Sequence, residues 1–131
     1  MATAAEALVW LMKSDPTIGG ATGGRFYPNV APEGSARPSI AWQQISDAPE
    51  MSHDGFSSLQ KTRYQLTIEA DTYGMARRLA RSVKRLLNGY KGAVLGINIG
   101  YCTVENDMDD YSTVAMLPVA RMDVLMTHDE Q

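Results

Sequence analysis

The sequence holds a single cysteine, Cys102, so no internal disulfide can form and stability has to come from packing. That fits a reducing compartment, or a virion assembled in one. Histidine is almost as scarce, and neither His53 nor His128 belongs to a two-histidine zinc motif. A basic excess is missing too. The formal net charge is −3, which argues against a protein that gains affinity by neutralising phosphates, but not against one that surrounds DNA without gripping it. No run approaches the roughly 20 apolar residues that span a bilayer, so no membrane is expected among the partners. The N-terminus mixes Glu6 and Lys13 with its apolar residues and lacks a basic start, so no signal peptide is expected. A cytoplasm is the expected place of synthesis and use.

What is present suits one globular domain over residues 1–131: 44% of residues are hydrophobic and 21% charged. Thr3 and Glu6 have capping-box spacing and predict a helix over 4–13, with Ala4, Ala5, Leu8, Leu11 and Met12 on one face. Trp10 falls on the polar side, either folded over the core rim or free to meet another chain. Asp15-Pro16 is expected to stop this helix, and the glycines over 19–24 to form a flexible loop. A short edge strand over 25–30, a loop over 31–38 and a strand over 39–46 follow. A long polar loop is expected over 47–59, and loops of that length are usually functional or mobile.

The clearest strand is 62–71, where Tyr64, Leu66, Ile68 and Ala70 alternate with Arg63, Gln65, Thr67 and Glu69. Asp71 or Thr72 then caps a second helix running to about residue 88, with Gly89 as its stop. Its apolar face carries Met75, Ala76, Leu79, Ala80, Val83, Leu86 and Leu87; the opposite face carries Arg77, Arg78, Arg81, Lys84 and Arg85. A strand over 93–104 places Leu95, Ile97, Ile99 and Tyr101 on one face. An acidic turn over 105–110 and a last strand over 113–126, interrupted at Pro118, complete the domain, with 127–131 expected to fray. The fold class is therefore α+β: an antiparallel sheet of about four strands with two helices packed on one face.

Chemistry is harder to find. Cys102 sits inside a predicted strand as a structural thiol. Gly19 and Gly24 have P-loop spacing, but Arg25-Phe26 stands where the lysine and hydroxyl are needed. Asp107, Asp109 and Asp110 lack the glycine of a calcium loop, because Ser112 occupies its place. No catalytic residue, cofactor or metal site is expected. The five cations form either a solvated face or a surface for an acidic partner, such as the 105–110 stretch of a neighbouring copy; no aromatic lies among them to stack on bases.

One run carries more information: Gly24-Arg25-Phe26-Tyr27-Pro28-Asn29-Val30-Ala31-Pro32-Glu33-Gly34, followed by Arg37-Pro38-Ser39-Ile40 and Trp42-Gln43-Gln44-Ile45-Ser46. Asp54-Gly55 then precedes Arg63-Tyr64-Gln65-Leu66-Thr67-Ile68, Asp71-Thr72-Tyr73 opens the second helix, and Arg121-Met122-Asp123-Val124 lies in the closing strand. In order and spacing this resembles the phage tail-completion (tail-terminator) family over nearly the whole chain. Two features depart from the family pattern: the family often has a second short helix where 15–22 is glycine-rich here, and Pro118 interrupts the final strand.

The resemblance implies a virion protein of the tail and neck, assembled in the bacterial cytoplasm. Such proteins form a ring, typically a hexamer, that ends the major tail tube, docks to the head–tail connector and lets genome DNA pass through its lumen. Negative charge would suit such a lumen. Trp10, Met51, His53, Phe56, Tyr111, Arg77 and Arg81 are the expected contacts to copies or partners, since Met and aromatic side chains favour interface cores. The competing readings are a neighbouring head-completion or minor tail protein, a small-ligand-binding or regulatory domain, and an enzyme using Cys102 or the acidic stretch.

Overall fold

A computed structural model describes residues 3–52, 55–113 and 116–129. The architecture is α+β, but richer than expected: three helices and a six-stranded mixed sheet replace two helices and about four antiparallel strands. Helix α1 (Ala4–Ser14) starts at the capping box, where Thr3 and Glu6 satisfy each other's backbone amides. Asp15 closes α1 and opens α2 (Pro16–Thr22), its Oδ1 accepting from the amides of Thr17 at 2.9 Å and Ile18 at 3.1 Å. The Asp-Pro pair read as a stop is thus also a start, because proline is pre-organised for the first helical position. The expected flexible loop is a helix up to Thr22, ended by Gly23 at φ +60°.

Strand β1 (Phe26–Pro28) pairs parallel with β2 (Ser39–Ser52), and β2 pairs antiparallel with β3 (Gly55–Glu69). The expected polar loop over 47–59 is therefore mostly strand. Of β3, residues 55–58 pair with β2 alone, and their sequence lacks the alternation that marks 62–69. Pro49 is tolerated because β2 is an edge strand there.

Helix α3 (Tyr73–Leu87) begins at Thr72, whose Oγ1 accepts from the Met75 amide at 3.2 Å. The strand expected over 93–104 is broken in two. Leu95 (φ +52°) and Gly96 (φ +83°) form a turn between β4 (Gly92–Val94) and β5 (Ile97–Ser112), and Leu95 is exposed rather than buried. A bulge between Ile99 and Tyr101 then turns Tyr101 out to the open face and leaves Cys102 fully buried. The acidic stretch 105–110 is strand with a second bulge, not a turn. Strand β6 (Leu117–Asp129) starts next to Pro118, later than expected, and runs through 127–129, the stretch expected to fray. Register with Ile99 and Gln60 holds His128 inside the sheet, only 5% exposed.

The strand order is β1-β2-β3-β6-β5-β4. Ile40, Tyr64, Leu66, Ile68, Met122, Val124 and Met126 form one face and pack under Leu8, Met12, Ile18, Leu79, Val83 and Leu87 of the helices. The opposite face of the sheet carries Arg63, Gln65, Thr67, Arg121 and Asp123, all half-buried.

Candidate assembly surface

Three places gather functional side chains or unpaired backbone. The first is the edge of β2. Its start is covered by β1, with the Asn29 amide donating to the Trp42 carbonyl at 2.7 Å. Beyond Trp42 no strand pairs with that edge among the described residues, and residues 43–49 are all exposed. Ile45, at a bulge, is 49% exposed. Met51 stands in register with Phe56 near the arm's tip, while His53 lies outside the described residues.

The opposite edge of the sheet is covered in part, over 97–104 of β5. Of β5, only Ile97–Ile99 meet β4. The next edge groups are taken by the end of α3: the Gly89 amide donates to the Cys102 carbonyl at 2.6 Å, and the Val104 amide donates to Asn88 Oδ1 at 3.0 Å. Arg77 Nη2 reaches the Met108 carbonyl at 3.3 Å. Unpaired strand edges invite another chain; the α3 end blunts part of the β5 edge, and residues 43–49 of β2 meet no strand on that edge among the described residues.

The second place is the acidic stretch of β5, and its carboxylates are already paired. Arg77 bonds Asp107 at 3.0 Å, and its Nε makes a charge contact with Asp109 at 2.9 Å. Arg63 holds Glu105 and Asp123 at 3.1 Å each, and Arg121 pairs with Asp110. Tyr73 donates its hydroxyl to Asp109 Oδ2 at 3.0 Å, and that hydrogen bond is the main cause of its raised pKa. The expected pairing of this stretch with a neighbouring copy is thus met within the chain, and Arg77 with it. Arg81, Lys84, Arg78 and Arg85 make no ion pair among the described residues.

The third is a hollow of about 400 Å³ between the 29–35 loop and the open sheet face, lined in part by Arg37, Glu69, Tyr111 and Arg121. Both arginines are held by carboxylates, Arg37 by Asp71 at 2.9 Å and Arg121 by Asp110. Elsewhere the Thr62 hydroxyl donates to Asp47 Oδ1 at 2.7 Å and lies 2.8 Å from His128 Nε2. The order is wrong for nucleophilic catalysis, because the carboxylate holds the hydroxyl and His128 Nδ1 faces the Asp129 carbonyl at 2.9 Å. The trio ties the base of the arm to the end of β6. Burial pushes the Cys102 thiol up to about 12, so it carries no thiolate near neutral pH. No group of three potential metal ligands occurs among the described residues, and no helix there is long and apolar enough to cross a membrane.

The family model for tail completion protein gp17 matches residues 6–127. The chain belongs to that family. It is a structural tail protein of phage-type particles, and a virion component. A chain in the solved virion of a native gene transfer agent particle has the same fold, with a TM-score of 0.68 and 15% identity over 94% of this chain and 90% of that one. No curated protein sequence matches the chain significantly.

For a tail completion protein, the expected contact residues scatter. Arg77 and Arg81 line one small hollow with Lys84 and Asp107, whereas Trp10 stands exposed on α1 and Tyr111 beside the 29–35 loop. The open β2 edge and α2 were not expected from sequence. The signal for α2 was present in Asp15-Pro16 and Ile18; that for the arm was not.

Proposed function

We propose that this chain caps the tail tube of a long-tailed phage as an oligomeric ring, taken as a hexamer, and joins the tail to the head connector. The supporting observation is the long β2 edge: beyond Trp42 no strand pairs with it among the described residues, whereas the chain's own α3 end covers part of the β5 edge. A surface that meets a different surface on the next copy builds a closed ring when the rotation per copy closes. In this reading the β2 edge and arm meet a surface of the next copy other than its β5 edge. Genome DNA passes through the lumen without sequence-specific binding. The four cations of α3 that make no ion pair among the described residues then face away from the lumen, since they would otherwise hold phosphates.

Electron microscopy of particles made without this protein tests the proposal. Tubes of uncontrolled length and unattached heads are the expected outcome. Tails of normal length joined to heads would overturn it.

A further inference from the structure

The outer face of α3 is unusual for an acidic protein. Arg78, Arg81 and Arg85 follow i, i+3, i+7 spacing and form a stripe about 10 Å long, with Lys84 beside it. None makes an ion pair among the described residues. Two carboxylates that line hollows with these cations are engaged: Asp107, beside Arg81 and Lys84, bonds Arg77, and Asp15, across a shallow hollow from Arg85, caps α2.

Beside the stripe lies a second hollow, of about 340 Å³, between α2 and α3. Ala21, Pro38, Met75 and Leu79 give it an apolar floor, and Arg78 stands at its rim with Thr17 and Ser82. A small apolar floor with a charged rim is how protein–protein contacts are built. A phosphate backbone would use the cations but gain nothing from the floor, and no aromatic is present to stack on bases.

We infer that the α2–α3 groove and its cationic rim dock an acidic segment of another virion protein, one that places an apolar side chain in the hollow and carboxylates against Arg78, Arg81 and Arg85. A second copy of this chain is a poor occupant, because the carboxylates of its one dense acidic stretch, 105–110, are paired internally with Arg63, Arg77 and Arg121. The inference rests on family membership and does not require the ring.

Photo-crosslinking in assembled particles tests it, with a benzoylphenylalanine in place of Thr17. The expected result is one adduct, to a virion protein other than this chain, through a peptide that carries carboxylates beside apolar residues. Arg78→Gln together with Arg85→Gln should reduce that adduct about tenfold or more without changing the melting of the purified protein. An adduct to a second copy or to packaged DNA, no adduct, or an adduct indifferent to the substitutions would overturn the inference. Tail length in the same particles reports the capping role separately: normal tails without the adduct sink the groove and leave the cap standing.

Discussion

Leu66 and Cys102 both lie on the helix-covered side of the sheet, but their losses would be felt differently. Leu66 is fully buried at the centre of β3, between Trp42 and Met122 in register. Leu66→Ala removes contacts that the surrounding strands cannot refill, and should cost about 2–5 kcal/mol in urea unfolding. Cys102 acts through its proton. Its folded pKa is raised by burial from 9.0 to about 12, so the folded state favours the neutral thiol. The resulting stability is complete below pH 9 and is lost as pH rises from 9 toward 12, at about 1.4 kcal/mol per pH unit. Cys102→Ala should therefore show a shallower loss of stability over that window than the unaltered protein. Thiol reagents at pH 8 should label Cys102 only on unfolding.

At the scale of elements, the junction of α1 and α2 depends on glycine. A Cβ on Gly19 would stand 2.2 Å from the Lys13 carbonyl oxygen, a backbone atom that cannot move without shifting the helix. Gly20 has open space. Gly19→Ala should therefore lower the melting temperature, whereas Gly20→Ala should stabilise the protein by about 0.5–1 kcal/mol through helix entropy. The pair separates steric need from a general preference for flexibility. It also explains why residues 15–22 read as a loop. The glycines weaken helical propensity, and only the close approach of α1 shows why one of them is needed. The strand 62–71 was legible because one face meets helices and the other meets water, which imposes a period of two. In the arm, residues 55–58 pair with β2 alone, and their sequence shows no regular alternation.

At the scale of the whole molecule, the proposed assembly contact is the β2 edge. Ile45→Lys places a charge on that edge, and Phe56→Glu places one near the tip of the arm. Both variants should fold with unchanged melting yet fail to cap tubes in a complementation assay scored by micrographs. A Phe56→Glu chain that does not fold would instead show Phe56 to be part of the core. Ring formation by light scattering should be lost in both.

The α+β class, the amphipathic α1 and α3, the central strand and the family were legible in the residues, because each rests on local period, capping or residue order. Three things appear only in the tertiary structure: that 47–52 pairs with 55–62, that the 105–110 carboxylates bind the chain's own arginines, and that the α3 end covers part of the β5 edge. These depend on which residues the chain brings together across long separations, such as Arg77 with Asp107 and Gly89 with Cys102. Such pairings leave no periodic trace in the segments that make them.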